Sequence, residues 1–252
     1  MTTQARVDHA ALFAVLSSLA DNKQTLGRRY AYWCNGAPTL EAAVAAAAMT
    51  QTELGHARTL YPLLEDFIQA DPVQVEPMTR TLHYSLAALD RDFTGWCDFV
   101  AANFLVDTAF TTFFEAAQDS SYEPLRVRAR KIVQEENLHR VHAEGWVRRL
   151  SGVGGAVREA LIVSLDHFWD ETLCWAGPPD DPTMLQLCRE EIIDAEPDQW
   201  RLRFLQKIMP VLKRAGIEYA AFLQPETRRW GLTPALSWSH WDATARRQES
   251  RA

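Results

Sequence analysis

Apolar residues recur with helical spacing along almost the whole chain, and no β-strand alternation stands out beside them. Short segments that contain Gly or Pro break this spacing, for example Asn35-Gly36-Ala37-Pro38. Pro62 lies inside the second helical stretch and predicts a kink there. The pattern predicts helices over about residues 8–33, 39–70, 78–89, 92–118, 123–150, 157–175, 184–195 and 197–215. We therefore expect an all-α bundle with additional C-terminal helices.

Composition narrows the class of protein further. Of the 252 residues, 47% are hydrophobic and 23% are charged, which is typical of a globular protein and excludes a disordered chain. We expect a single domain over residues 1–252, with the bundle core at about 8–151 and C-terminal helices and a tail at about 156–252. The net charge of −7 argues against nucleic acid as a partner. No apolar run is long enough for a membrane span and no signal peptide is recognisable, so we expect a cytoplasmic protein.

Two Glu-x-x-His motifs lie on two of the longest predicted helices, at Glu53/His56 and Glu136/His139. Three residues turn a helix through about 300°, so the Glu and the His of each motif lie one turn apart on the same face. Both motifs continue apolar stripes, which favours an inward aim. The stripes are Met49, Glu53, His56 and Leu60, and Ile132, Glu136, His139 and Ala143. Two such motifs facing each other form the two-metal site of ferritin-like proteins, so we expect a ferritin-like four-helix bundle.

The two motifs leave other interpretations open. On a solvated face, Lys131 would pair with Glu135, and Glu136 with Arg140, at i,i+4 spacing. A two-metal site also needs carboxylates from the remaining helices.

Asp107, inside the apolar run 104–110, is the best candidate for such a carboxylate, because a buried carboxylate is costly unless it is paired or binds a metal. Glu115, about 80° round the same helix, is the alternative. If Asp107 is not a ligand, we expect a buried salt bridge to an Arg.

At this point the sequence resembles a known family, that of the catalytic subunit of phenylacetyl-CoA epoxidase, among the ferritin-like di-iron bacterial multicomponent monooxygenases. The resemblance covers about residues 20–150. It rests on Glu53-x-x-His56, Leu105-Val106-Asp107, Glu135-Glu136-x-x-His139 and the segment from Trp33 to Ala37-Pro38-Thr39-Leu40. It implies a di-iron oxygenase that activates O2 and acts on a small aromatic or acyl-CoA-like substrate. It also implies a reductase as electron donor and an oligomer, homomeric or heteromeric, of related helical subunits.

The resemblance assigns the iron ligands residue by residue, and they are Glu53, His56, Asp107, Glu136 and His139. Glu53 and Glu136 would bridge two ions, with His56 on one ion and Asp107 and His139 on the other. The family also contains a non-catalytic partner subunit of about this length, in which the Glu-x-x-His positions are lost. Because this chain keeps them, the resemblance favours the metal-binding branch.

Lys23 departs from the family pattern, which places a Glu on the first long helix about ten residues before the tryptophan of the first turn. No Glu occurs before Glu41, and the nearby Asp21 lies on a different helical face. An ammonium group cannot ligate a metal unless it is deprotonated, but it can pair with Glu53 or Glu136.

We therefore expect a role for Lys23 in the reaction and weaker binding of the second iron. The alternatives are that Lys23 points to solvent, that the chain is a non-catalytic scaffold subunit, or that it is an oxidase or self-modifying enzyme with an atypical site containing a lysine.

The remaining features carry less weight. His142 continues the stripe of His139 and could stand behind the ligands. The tail tryptophans Trp230, Trp238 and Trp241 predict that the tail packs on the bundle or on an apolar partner, and residues 246–252 are expected to be disordered.

Overall fold

The computed structural model describes residues 7–70, 84–219, 221–223, 230–232 and 235–248, and it is dominated by helices. The helices are α1 (Ala10–Tyr32), α2 (Leu40–Leu64), α3 (Trp96–Ala102), α4 (Thr108–Ala116), α5 (Glu123–Val153), α6 (Gly155–Cys174), α7 (Pro182–Arg189) and α8 (Pro197–Arg214). A π-helical segment (Asn103–Asp107) joins α3 to α4 without a break. The predicted all-α, ferritin-like fold is confirmed.

Four short strands near the C-terminus are an addition to the predicted helices. They are β1 (Ala221–Leu223), β2 (Trp230–Leu232), β3 (Trp241–Asp242) and β4 (Arg247–Gln248). β1 pairs antiparallel with β2, and β3 pairs antiparallel with β4. Strands of two or three residues are too short to produce a recognisable alternation of polar and apolar residues, which is why the sequence pattern did not predict them.

Two predicted helix boundaries are wrong for local reasons. α2 ends at Leu64 and not at residue 70, because Pro62 supplies no backbone N–H to continue the helical bonds. Of the helix predicted over 78–89, residues 78–83 lie outside the described residues, and 84–89 contain only a 3-10 turn at Ala87–Leu89. This segment is bound to α1 instead, since the backbone N–H of Tyr84 donates to Asp21 (2.7 Å).

The bundle core is formed by α1, α2, the helix made of α3 and α4, and α5. α1 and α2 make the most extensive contact, and Gly27 permits it, because a Cβ at this position would lie 2.7 Å from a side-chain atom of Leu54. α6 packs on α3 and α5, and α8 packs on α4 and α5. This arrangement directs four helices toward one interior line, where the motifs meet.

The tail packs on the bundle, as predicted. The guanidinium group of Arg246 is fully buried, lies 3.2 Å from Asp181 and donates to the carbonyl of Trp175 (3.0 Å). The guanidinium group of Arg201, on α8, lies 5.5 Å from the ring centre of Trp238. The prediction of disorder is therefore wrong for residues 246–248, while 249–252 lie outside the described residues.

Within the part of the chain that the structure describes, no helix combines the length and the apolar character needed to cross a membrane.

Candidate metal centre

Three carboxylates and an imidazole converge in the middle of the bundle. Glu53 lies on α2, Asp107 ends the π-helical segment, and Glu136 and His139 lie on α5. One ligand atom from each of the four lies within 4.8 Å of the others, and all four side chains are buried. We call these four residues, together with His56 and Lys23, the carboxylate cluster.

The inward aim of both motifs is confirmed by the burial of their stripes. Met49, Leu60, Ile132 and Ala143 are all buried with the motif residues. The solvated interpretation holds only at the rim, where Lys131 lies 3.8 Å from Glu135.

Arg140 does not pair with Glu136. It donates to Glu144 (2.6 Å) and to Asn137 (3.0 Å) instead.

His139 presents its Nδ1 atom to all three carboxylates. This atom lies 2.8 Å from Asp107 Oδ2, 3.0 Å from Glu136 Oε2 and 3.2 Å from Glu53 Oε1. Burial alone would lower the pKa of His139, but Glu136 and the hydrogen bonds to the carboxylates hold it well above its usual value. Without a metal, the imidazole is therefore a cation that balances part of the negative charge.

His56 approaches Glu136 from the other side. Its Nδ1 atom lies 3.1 Å from Glu136 Oε1, and its Nε2 atom lies 2.8 Å from Glu135 Oε2. Ligating histidines typically donate their second ring N–H to a carboxylate in this way, which fixes the ring orientation. Glu135, at the solvent edge, thereby holds His56 with Nδ1 directed into the cluster.

Lys23 lies inside the cluster, and the alternative that it points to solvent is wrong. Its Nζ atom is 2.6 Å from Asp107 Oδ1 and 3.1 Å from Glu53 Oε2, and it also donates to Glu136 Oε1. The predicted partner of Asp107 was an Arg, whereas the structure provides Lys23. The ammonium group thus contacts each of the three carboxylates.

The charges in the cluster shift one another's pKa values strongly. Burial alone would lower the pKa of Lys23, but Asp107, Glu136 and Glu53 raise it well above its usual value, so the side chain stays an ammonium ion at neutral pH. Burial and the charge of Asp107 raise the pKa of Glu53 to about 7. For Glu136 the effect of burial is outweighed by Lys23 and His139, which lower its pKa well below the usual range.

The π-helical segment positions Asp107. Asn103 Nδ2 donates to Asp107 Oδ2 (3.2 Å), and Asn103 Oδ1 lies 3.4 Å from His142 Nδ1. The indole N–H of Trp146 donates to His142 Nε2 (3.0 Å), so this nitrogen is an acceptor and the Nδ1–H points to Asn103. Burial lowers the pKa of His142 to about 4, which keeps the ring neutral. His142 therefore stands behind the cluster, and Asn103, which sequence reasoning missed, connects it to Asp107.

Tyr30 is a second residue that the sequence did not reveal. It is fully buried beside the cluster, and burial together with the charges of Asp107 and Glu53 raises the pKa of its hydroxyl. The alternative ligand Glu115 lies elsewhere, in an ion pair with Lys207 of α8. Asn103, four residues before Asp107 in an apolar run, was the available signal for a buried polar pair; Tyr30 carried none.

The donor set fits a divalent cation. Glu53 Oε2, Glu136 Oε2 and His56 Nδ1 are buried and make no hydrogen bond, although Glu53 Oε2 is in the ion pair with Lys23. Carboxylate oxygens and imidazole nitrogens are the ligands of iron in bundles of this type. Three carboxylates and one ammonium sum to −2, so one divalent ion makes the cluster neutral once the imidazoles have released their protons.

The helical bundle and this buried cluster define a ferritin-like protein with a centre that could hold a metal ion. The chain belongs to the phenylacetic acid catabolic protein family, whose model matches residues 1–231. It is also similar to one of the subunits of the 1,2-phenylacetyl-CoA epoxidase of Escherichia coli (strain K12), with 22% identity over 160 residues. That match covers 63% of this chain and 64% of the length of the relative.

Proposed function

We propose that this chain is a non-haem di-iron oxygenase that activates O2, with Glu53, His56, Asp107, Glu136 and His139 as iron ligands. The observation that carries the proposal is the convergence of three buried carboxylates with two imidazoles whose Nδ1 atoms both face them. Iron bound there would supply the reduction of O2 and the transfer of an oxygen atom to the substrate.

The residues of the chain would hold and orient the reactants. Glu53 and Glu136, which lie on opposite helices, are suited to bridge two cations, and Glu135 keeps the ring of His56 in the ligating orientation. Lys23 keeps its proton on Nζ at neutral pH, so we expect it to act as an ammonium ion toward the carboxylates and toward a group bound beside them, not as a ligand.

The charge of Lys23 also bears on how many ions bind. At an effective dielectric constant of about 20, unit charges about 4 Å apart repel by about 4 kcal/mol, and a divalent ion doubles that cost. One ion would bind in place of the imidazole protons. A second would bind more weakly, since the ammonium must first move away from the carboxylates.

Substrate and partners follow from the comparisons. The relative is named as part of an epoxidase of phenylacetyl-CoA, which supports a small aromatic or acyl-CoA-like substrate, a related helical subunit as partner and a reductase as electron donor. The cytoplasmic location expected from the sequence stays a prediction.

Iron binding is the direct test. Protein loaded anaerobically with Fe(II) and desalted should retain at least one iron per chain and should consume O2 after reduction. His139→Ala should lose at least one iron with its far-UV helicity intact, while His240→Ala, which changes an exposed histidine, should bind as the unmodified protein does. Equal iron content in all three proteins would exclude the proposed ligands.

A non-catalytic scaffold subunit is the second candidate, and Lys23 is the observation that favours it. An ammonium group that contacts all three carboxylates takes the position that a metal would use, and the relative is named as one of several subunits of an epoxidase. A chain that stays free of metal under Fe(II) loading and binds a homologous subunit would support the scaffold.

Lys23→Glu separates a degraded centre from an adapted one. The substitution should raise iron occupancy, because it replaces a repulsive cation with a ligand. If iron rises and turnover is lost, Lys23 serves the reaction; if both rise, the lysine had only weakened an ancestral site. Equal iron affinity in the two proteins would exclude an effect of Lys23 on the metal.

A further inference from the structure

A cleft of about 490 Å³ runs between α4 and α5 and reaches the carboxylate cluster. Asp107 and Glu136 form its floor, while Arg140 and Lys207 lie at its mouth. Ligand pockets for small molecules have volumes of about 300–1,000 Å³. The cleft is therefore large enough for a small organic molecule that touches two of the proposed iron ligands.

The mouth of the cleft carries two cations from different parts of the chain. Arg140 comes from α5, and Lys207 comes from α8, which packs across the bundle at this point. Their side chains are 44% and 25% exposed, respectively, so both are partly in contact with solvent. Each one already has an acidic partner: Glu144 accepts from Arg140, and Glu115 is paired with Lys207.

These ion pairs leave room for a further acceptor. A guanidinium group has five N–H donors and an ammonium group has three, whereas one acidic partner occupies only some of them. Arg and Lys at the edge of a pocket are the side chains that bind carboxylates in charge-assisted hydrogen bonds. The floor differs from the mouth, because Asp107 and Glu136 are neutralised by Lys23 and His139.

The length of the cleft sets the size of the molecule. Glu136 and Arg140 are one helical turn apart, or about 6 Å along α5, and Asp107 and Glu115 are two turns apart, or about 12 Å along the helix of α4. A molecule with its anionic group at the mouth and its far end at the floor would therefore span roughly 6–12 Å. That is the size of an arylacetic acid or a short fatty acid. A CoA thioester would leave its nucleotide outside.

We propose that this cleft binds the substrate as a small free carboxylic acid, with the carboxylate on Arg140 and Lys207 and the opposite end against Asp107 and Glu136. The description of the ligand as a substrate rests on the proposed function; the binding itself does not. The proposal distinguishes this chain from a protein that recognises its substrate through CoA.

Calorimetry on metal-free and on Zn²⁺-loaded protein tests the inference with phenylacetate and hexanoate as probes. Phenylacetamide and hexanamide are matched controls of the same shape without the charge. We expect each acid to bind at least tenfold more tightly than its amide, and phenylacetyl-CoA to bind more weakly than phenylacetate.

Variants locate the carboxylate. Arg140→Gln and Lys207→Gln should each weaken phenylacetate binding about tenfold or more, while Arg130→Gln, an exposed arginine of α5 that does not line the cleft, should leave it unchanged. No binding of either acid, equal binding of acids and amides, tighter binding of phenylacetyl-CoA, or equal loss in the control variant would overturn the inference. Because iron content is measured separately, retained iron without acid binding would overturn this inference alone, and acid binding without iron would overturn the proposed function alone.

Discussion

Two fully buried cations, Lys23 in the bundle and Arg246 in the tail, have opposite surroundings. Arg246 faces one carboxylate, Asp181, donates to the carbonyl of Trp175, and lies 5.6 Å from the ring centre of Trp241. Its charge is matched one to one. Lys23 instead faces three carboxylates.

The difference teaches how to separate a structural ion pair from a centre that needs another cation. A buried pair that is matched in charge closes a structure, because each ion satisfies the other. A surplus of two negative charges in a buried cluster is costly, and it is relieved by protons or by a metal ion. The raised pKa of Glu53, about 7, is the mark of that surplus.

The largest effect should come from removing either cation. Lys23→Met and Arg246→Met should each lower the free energy of unfolding of the metal-free protein by about 3–5 kcal/mol, since buried carboxylates lose their partner. Urea unfolding in a chelating, slightly alkaline buffer measures the loss. Zn²⁺ should restore stability to Lys23→Met and not to Arg246→Met; restoration in both variants, or in neither, would remove the distinction between the two regions.

The pH dependence of stability should be the next effect in size. Burial raises the pKa of Glu53 from 4.5 to about 7, so the native state binds this proton more tightly than the unfolded state. The contribution is fully present below pH 4.5 and is lost as the pH rises through about 7, a decrease of about 3 kcal/mol at most in the metal-free protein. The raised pKa of His139 adds to the decrease, while the lowered pKa of Glu136 acts only below its usual range.

Glu53→Gln should flatten this pH profile in chemical denaturation. Glu171, on α6, offers the matched control, because burial also raises its pKa to about 7. Glu171→Gln should flatten the profile as well, yet only Glu53→Gln should weaken metal binding. Equal metal affinity in the two variants would argue against Glu53 as a ligand.

A smaller loss is expected for Asp107→Asn. The substitution weakens charged hydrogen bonds to Lys23 and His139, which contribute about 1.5–3 kcal/mol each, while Lys23 keeps two other carboxylates. Thermal unfolding and iron content should both decrease. Asp98→Asn, a buried aspartate of α3 that accepts from Thr94 and Ser164, should lower stability without affecting iron.

The smallest effect should come from the rim of the cluster. Lys131 and Glu135 form an exposed pair at 3.8 Å, and such pairs contribute less than about 1 kcal/mol. Lys131→Gln should therefore leave urea unfolding and iron content nearly unchanged. A loss comparable to that of Asp107→Asn would mean that the rim charges belong to the centre.

The motif residues could be predicted because their signal is local. The spacing of Glu53 and His56, and of Glu136 and His139, fixes a common helical face, and the apolar neighbours on each stripe fix its direction. The bundle follows from the same periodicity.

The partner of Asp107 could not be predicted, because Lys23 lies 84 residues away in sequence and nothing near either residue announces the contact. The π-helical segment was missed for another reason. Residues 99–110 are almost entirely apolar, so their hydrophobic pattern is the same for an α-helix and for a wider turn. The tail strands were too short to leave a pattern at all.

The π-helical segment Asn103–Asp107 has a consequence for how this gene can vary. A π turn closes bonds between residues five apart, so it holds one residue more than an α turn, like a single-codon insertion. Deleting one residue there would restore a continuous α-helix with unchanged composition elsewhere but would rotate α3 by about 100° relative to α4. Asp107 and the ring of Trp96 could not then both keep their places. An alignment with a relative that lacks the extra residue therefore needs a one-residue gap between 103 and 107.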